Sequence, residues 1–250
     1  MLPSLPTLRN AQLHPNMPEY LVFTLASTLA SMGDVAGHER RGTWTWPGRS
    51  AILGLLAAAR GIKRDGDFSA LDALQVSVAV FETGKPMRDY HTVQTIPTAA
   101  VKRPQSRPEA LRLLDAYELR QQKPVHPVIT LRDYRQGVLY GAAVQGPALE
   151  TLRSALEHPT FHLYLGRKAC PLSAPLAPKI VAAEAPEAAL AHLTLPPWQG
   201  TAMAETLYTE AGPAERIETR HDAPTDRRLW HFSQRQVHVR TVTIRPEGKP

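Results

Sequence analysis

The sequence has few of the features on which several classes of protein depend. A single cysteine, Cys170, among 250 residues excludes an internal disulfide framework and a zinc site built from several cysteines. No apolar run approaches the roughly 18 residues that a membrane-spanning helix needs. No glycine-rich phosphate motif opens a helix, no nucleophile elbow is present, and none of the ten histidines forms a helical pair at metal-ligand spacing. We therefore expect a cytoplasmic protein without a membrane segment, a metal or a cofactor.

Proline and positive charge are the features in excess. There are 23 prolines in 250 residues, about twice the average usage of roughly 5%, which favours loops and strand edges over a helical bundle. Lysine and arginine total 29 against 23 acidic residues, a net charge of +6. This excess favours a polyanionic partner, because neutralising phosphates releases counterions. An inert basic surface explains the charge equally well.

The periodicity of apolar residues predicts an alternation of strands and helices. The expected elements, in chain order, are a strand at 20–26, a helix capped by Ser50 and ended by Gly61, a strand at 74–81, a hairpin of strands 128–134 and 138–144 that turns at Gly137, a helix at 147–157 and a strand at 161–165. This is the order of the split β-α-β unit in a ferredoxin-like sheet. The predicted fold class is therefore α+β, with a ferredoxin-like (RRM-like) palm.

Four regions are expected along the chain. Residues 1–18 are a proline-containing tail, 19–165 the palm and 166–250 a smaller strand-rich C-terminal lobe with a late strand at 236–244. Residues 83–127 interrupt the palm with eight basic and four acidic residues. A stretch of this length without a core of its own is usually functional or disordered, so we expect an extended, solvated thumb.

The first chemically informative cluster precedes the first predicted helix. Arg40, Arg41 and Arg49 surround Trp44 and Trp46, and Ser50 opens the helix. Guanidinium groups bind phosphates, and indoles offer flat faces to unpaired bases. The first-turn amides of the helix are a further place for a phosphate. The cluster indicates RNA binding, although at least one tryptophan of the loop is expected to anchor it in the core.

Two further clusters lie later in the chain. Arg88, Tyr90 and His91 combine a cation, a ring and a hydrogen-bond donor, whereas Gly166-Arg167-Lys168 joins a permissive backbone to two cations. Tyr90, His91 and Lys102 are alternatively the groups of a metal-independent ribonuclease, with the histidine as general acid or base. A solvated turn explains the 166–168 cluster equally well.

Four strings occur in an order that resembles a known family. They are RGTWTWPGRSAILGLLAAARGIKRD (41–65), MRDYHTV (87–93), ITLRDYRQGVLYGAAV (129–144) and YLGRKACPL (164–172). Together they resemble the CasD family, the fifth-family Cas subunit (RAMP superfamily) of the type I-E CRISPR Cascade complex. The resemblance extends weakly to RLWHFSQRQVHVR at 228–240. Relatives typically carry a tryptophan before the glycine that follows the first strand, where this chain has Met32 before Gly33, and the 18-residue N-terminal extension is also unusual.

The resemblance implies a fold and a set of partners. It implies a ferredoxin-like palm, an extended thumb at 83–127 and a strand-rich C-terminal lobe. It also implies a subunit that holds the 5′ handle of the crRNA and caps the filament of backbone subunits. The thumb would lie against the neighbouring CasC subunit and displace a guide base, the large subunit CasA would dock beside it, and target DNA would be contacted indirectly. Precursor cleavage would belong to CasE.

Three hypotheses follow. The leading one is a non-catalytic crRNA-binding subunit; the second is an endoribonuclease like the type I-C relatives, which process precursor crRNA without metal; the third makes the thumb a protein-binding hook that barely touches RNA. Candidate RNA-binding residues, chosen on their chemistry, are Arg40, Arg41, Trp44, Arg49, Ser50, Arg88, Tyr90, His91, Lys102, Arg103, Arg107, Gly166, Arg167 and Lys168.

Overall fold

A computed structural model describes residues 17–34, 39–93, 96–122, 127–229 and 231–246. Apart from its last two residues, the expected tail at 1–18 lies outside this range. Within the range, no helix is long and apolar enough to cross a membrane.

Nine strands and five α-helices make up the described chain, with one 3-10 turn at Pro197–Gln199. The strands are β1 (Glu19–Ala30), β2 (Arg40–Arg41), β3 (Gln75–Glu82), β4 (Lys85–Val93), β5 (Val128–Gln145), β6 (Lys179–Ala182), β7 (Ala204–Thr209), β8 (Arg216–Asp226) and β9 (His231–Ile244). The helices are α1 (Arg49–Ala59), α2 (Ser69–Asp72), α3 (Arg107–Gln121), α4 (Leu149–Glu157) and α5 (Pro186–Leu190).

All nine strands belong to one sheet with the order β6-β1-β5-β3-β7-β9-β8. Neighbours along this path are antiparallel. Off the path, β4 pairs antiparallel with the first half of β5, and the short β2 pairs parallel with the same half. The fold is therefore mixed α+β and dominated by a large antiparallel sheet, which confirms the predicted class at this level.

The core lies on both faces of the sheet, as the alternation of buried side chains along its strands requires. On one face, Leu21, Phe23 and Tyr140 pack with α1 and α4. On the other face, Val22 and Leu139 pack with α5 and with strands β7 and β9. Packing on both faces fixes the position of strand β5, which carries some of the basic residues described below.

The hairpin predicted at Gly137 is wrong, because β5 runs unbroken through this position. Gly137 adopts a positive φ of 70° inside the strand, where the partner of β5 changes from β4 to β3. Opposite it, the chain kinks between β3 and β4 at Gly84, and Arg135 donates hydrogen bonds to the carbonyls of Thr83 (2.8 Å) and Gly84 (2.6 Å). A glycine therefore marks a local irregularity here rather than a reversal of the chain.

Two further local predictions are wrong. Residues 161–165 form no strand; they contribute only an isolated bridge between Tyr164 and Pro171, and the position beside β1 is taken by β6. The N-cap of α1 is Gly48 rather than Ser50, with no side-chain capping bond. The helix itself is confirmed, as are the strands expected at 20–26, 74–81 and 236–244.

The insertion at 83–127 has more regular structure than expected. Strand β4 pairs with β5 from Lys85 to Val93, so the two form a ribbon that extends from the main sheet. Helix α3 follows, and it buries Ala110 and Leu114. The C-terminal strands also continue the main sheet, because β7 pairs with β3.

Candidate nucleic-acid interface

A carboxylate at the base of the β4–β5 ribbon holds two of the predicted arginines. Asp133 on β5 accepts from Arg88 Nε (2.7 Å) and Nη2 (3.2 Å). It also accepts from Arg40 Nε (3.0 Å) and Nη2 (2.8 Å). The register explains the meeting, since Arg88 pairs opposite Asp133 and β2 lies along the same half of β5. The hydrogen bonds from Arg88 and then from Arg40 lower the pKa of Asp133 to about 2, so the carboxylate neutralises only one of two guanidinium charges.

The turn at 166–168 is fixed against β2 and β5 at the same end of the ribbon. The guanidinium of Arg167 lies 4.5 Å from the centre of the Tyr134 ring, and it donates to the carbonyl oxygens of Asp133 (3.4 Å) and Arg41 (3.3 Å). Gly166 has a φ of 86°, and a Cβ there would lie 1.5 Å from the Ser31 carbonyl oxygen. Only glycine fits this contact. The turn therefore presents Arg167 and the exposed Lys168 beside strand β2.

Arg132 lies at the same end of the ribbon and was not identified from the sequence. Since successive side chains of a strand alternate, it points to the face opposite Asp133. On β5 it lies opposite Arg41 and opposite Asp89 in the pairing register. Its buried Nε finds no hydrogen-bond acceptor among the described residues. The sequence could not place Arg132 beside Arg41 and Asp89, because that placement depends on which strands pair with β5.

We define the basic cluster as the six cations that β2, β4, β5 and the 166–168 turn bring to the base of the ribbon, on both of its faces. Two carboxylates, Asp89 and Asp133, lie among them, so a positive excess of four charges remains. The members of the basic cluster are Arg40, Arg41, Arg88, Arg132, Arg167 and Lys168.

Several predicted residues lie elsewhere. Arg49 is interior: its Nε lies 2.8 Å from Glu210 Oε1, and its Nη2 donates to the carbonyls of Asp72 (2.7 Å) and Leu74 (3.0 Å). Burial raises the pKa of the Glu210 carboxyl, against the opposing effect of Arg49. Arg49 therefore connects the start of α1 to residues 72–74 and to Glu210, and these contacts engage its guanidinium; its role in RNA binding stays a prediction.

The remaining predicted residues are separate from the basic cluster. Ser50 is half-buried in the first turn of α1. Three exposed cations lie at the start of α3 and in the loop before it: Lys102, Arg103 and Arg107.

The residues of the possible ribonuclease do not converge on one side of the ribbon. Tyr90 and His91 are consecutive on β4 and pair with Leu131 and Thr130, so their side chains point to opposite faces. Tyr90 is 70% exposed. His91 Nδ1 lies 4.0 Å from Asp89 Oδ2. Among the described residues, no group of three or more histidine, cysteine or acidic side chains is arranged to hold a metal ion.

Trp44 takes part in a second arrangement that the sequence did not indicate. The guanidinium carbon of Arg220, on β8, lies 4.0 Å from the centre of the Trp44 ring and 4.4 Å from that of Trp46. Trp46 in turn stacks on Tyr208 at 3.9 Å. Trp46 is buried, as expected for one tryptophan of this loop, whereas Trp44 is 39% exposed.

The fold and the basic cluster together define a class: an α+β protein whose large antiparallel sheet carries a group of cations at the base of a two-stranded ribbon. The chain belongs to the Cas5 family of CRISPR-associated proteins, since the family model described as CRISPR-associated protein (Cas_Cas5) matches residues 20–238.

Individual relatives agree with this membership. The chain is 32% identical over 179 residues to the CRISPR system Cascade subunit CasD of Escherichia coli (strain K12). The matched residues cover 64% of this chain and 70% of that protein. Among solved structures, it resembles a chain of a CRISPR RNA-guided surveillance complex with a TM-score of 0.66, 25% identity and 90% coverage of both chains. It also resembles a chain described as a Cas protein, with a TM-score of 0.57, 26% identity and coverage of 92% of this chain and 100% of that one.

Proposed function

We propose that the protein is a CasD-type subunit of a Cascade surveillance complex and that it binds the 5′ handle of the crRNA without cutting it. The basic cluster is the observation that supports this most directly. Six cations from β2, β4, β5 and the 166–168 turn lie at the base of the ribbon, divided between its two faces, and two carboxylates cannot neutralise them. A sugar-phosphate backbone supplies the missing negative charge.

The inferred architecture is a ferredoxin-like palm with a thumb. The strand order β6-β1-β5-β3, with α1 between β1 and β3 and α4 between β5 and β6, is the order expected of a split β-α-β unit whose fourth strand is β6. The thumb is then the β4–β5 ribbon with α3, and strands β7–β9 are the C-terminal lobe.

The thumb is also the proposed contact with protein partners. It exposes large apolar side chains on α3 and at the ribbon's far end, and such groups favour a protein surface over water. We infer that these residues contact the backbone subunit CasC, and that CasA docks beside the palm. The exposed apolar residues are Val93, Leu111, Leu113, Leu119, Val128 and Ile129.

The test is a quadruple charge reversal within the basic cluster. Replacing Arg40, Arg41, Arg167 and Lys168 with glutamate is expected to abolish retention of the crRNA handle and assembly of the complex. The measurement is binding of labelled repeat RNA across a salt series, together with co-purification of the other Cascade subunits. Because phosphate contacts are lost, the slope of log RNA affinity against log salt is also expected to become less steep.

The control carries the same change of charge elsewhere, and circular dichroism verifies that both variants fold. Full RNA binding and assembly by the cluster variant would contradict the proposal. Cleavage of the repeat RNA in EDTA by the unchanged protein, lost in His91→Ala, would instead favour the ribonuclease. The control replaces four exposed cations with glutamate: Arg60, Lys63, Arg228 and Arg245.

A further inference from the structure

Trp44 is a large aromatic side chain left partly in water close to the basic cluster. It is 39% exposed, and it follows Arg41 of the cluster by three residues. Three residues span at most about 11 Å of extended chain. A strand whose phosphates contact the cluster therefore passes within reach of the indole.

One side of the indole is held by protein. The Arg220 guanidinium lies 4.0 Å from the Trp44 ring centre, and the contacts continue through Trp46 to Tyr208. Arg220 is 3% exposed, and its Nη1 finds no hydrogen-bond acceptor among the described residues. A buried guanidinium therefore lies over the Trp44 ring and supports it from the protein side.

We propose that Trp44 is a stacking platform for one unpaired RNA base and that Arg220 is the positioning residue that holds it. The proposal rests on the RNA-binding function proposed above. An indole already supported on one side can accept a second flat group without further ordering of its own, so less entropy is lost on binding. Stacking of this kind accepts any base, because every base has a π face.

The geometry disfavours a phosphate site at this point. A Cβ on Gly48, the N-cap of α1, would lie 2.2 Å from Asp222 Oδ2, so a carboxylate already occupies the region beside the helix N-terminus. An anion there would be repelled. The neutral face of a base suits the exposed indole, while the phosphates remain with the basic cluster.

The experiment compares Trp44→Ala, Trp44→Phe and Trp198→Ala in binding to labelled single-stranded repeat RNA. Trp198 is the matched control, since it is 64% exposed and lies in the 3-10 turn Pro197–Gln199. Trp44→Ala is expected to weaken binding about tenfold with an unchanged slope of log affinity against log salt. Trp44→Phe is expected to recover most of the affinity, and Trp198→Ala to have no effect.

A second readout separates stacking from a structural effect. 2-Aminopurine is placed at each RNA position in turn, and its fluorescence is expected to be quenched at one position in the unchanged protein and restored in Trp44→Ala. An abasic site at that position is expected to remove the effect of Trp44→Ala.

Each result decides between the two proposals. If Trp44→Ala binds within about twofold of the unchanged protein while the quadruple reversal abolishes binding, the platform is wrong and the proposed function remains. If the quadruple reversal has no effect, the proposed function is wrong. Equal losses in Trp44→Ala and Trp198→Ala, or quenching that Trp44→Ala leaves intact, would also overturn the platform.

Discussion

At the scale of single residues, Asp133 allows Arg40 and Arg88 to lie close together. It pairs with Arg40 and Arg88 at 2.8 and 2.7 Å, and without it the two guanidinium groups would lie side by side uncompensated. The cost is that one positive charge is withheld from a ligand. Asp133 therefore stabilises the fold while it moderates the attraction for a polyanion.

Asp133→Asn is expected to lower the free energy of unfolding by about 1 kcal/mol at pH 7. The expected loss in free energy is small because Arg40 and Arg88 are 60% and 41% exposed, so water and salt screen both ion pairs. The folded pKa of about 2 lies below the unfolded value of roughly 3.9. The contribution of Asp133 is therefore complete above about pH 4 and is lost as the pH falls towards 2.

Urea denaturation at pH 7 and at pH 3 measures this effect. The difference between Asp133→Asn and the unchanged protein should shrink at the lower pH. Glu150→Gln is the control, since Glu150 pairs with Arg153 on the exposed surface of α4. A constant difference for Asp133→Asn at both pH values would show that the carboxylate charge is not what stabilises the site.

Residue chemistry alone could not separate the arginines of the cluster from their neighbours. Arg40 and Arg49 lie in one short segment, yet Arg40 faces the surface and Arg49 pairs with the half-buried Glu210. The sequence indicated the 40–41 and 166–168 motifs. It could not indicate that β5 joins them, or that Arg132 and Arg220 contribute, because those contacts connect distant parts of the chain.

At the scale of elements, α1 and α3 differ in how firmly they are held. Six of the eleven residues of α1 are buried, whereas only Ala110 and Leu114 are buried in the fifteen residues of α3. Since packing supplies most helix stability in proteins, α3 depends more on its cap. The Ser106 hydroxyl accepts from the Glu109 amide (3.3 Å), and Glu109 Oε2 accepts from the Gln105 amide (2.8 Å).

Ser106→Ala is expected to cost about 1 kcal/mol of helix stability. Because α3 has few buried residues, it opens locally, so the loss should appear as roughly fivefold faster hydrogen exchange in α3 with little change in the global unfolding midpoint. Ser154→Ala, at an exposed interior position of α4, is the control. Equal acceleration across α1 would mean that α3 does not open on its own.

Elements with a long, regular apolar pattern were the ones predicted correctly from the sequence. Helix α1 and strand β3 carry long runs of regular period, and both were predicted. The hairpin at Gly137 was wrong because a glycine with positive φ suits a bulge as well as a turn. Strand β6 was missed because only four residues form it, and its pairing with β1 depends on tertiary contacts rather than on its own sequence.

At the scale of the whole molecule, the C-terminal strands are attached to the rest in two ways. Strand β7 pairs with β3, and side chains of β8 and of the residue after it contact the loop before α1 and helix α2. Arg220 contacts both loop tryptophans, and Arg227 donates to Asp72 on α2 at 2.6 and 2.9 Å. Because the C-terminal strands β7–β9 continue the main sheet, we expect them to unfold together with the rest of the molecule.

Asp222→Asn tests this cooperativity, because Asp222 lies where the two regions meet. It is 8% exposed, and it accepts from Arg235 Nε (2.6 Å) and Nη2 (3.1 Å) beside the buried Arg220. Burial already lowers the pKa of Arg220, and Asp222 is the main group that opposes this. Removing its charge takes the hydrogen-bonded carboxylate from Arg235 and the largest compensating charge from Arg220, which is expected to cost about 3–5 kcal/mol.

The expected result in calorimetry is a single transition shifted to lower temperature. Glu218→Gln is the matched control on the same strand: its partner Arg216 is 63% exposed, so the loss should stay below about 1 kcal/mol. Two separated transitions in Asp222→Asn, with only β8 and β9 lost in the first, would mean that the C-terminal strands fold as an independent unit. The support that Arg220 gives to Trp44 would then be lost in that first transition, before the basic cluster on β2, β4 and β5 unfolds.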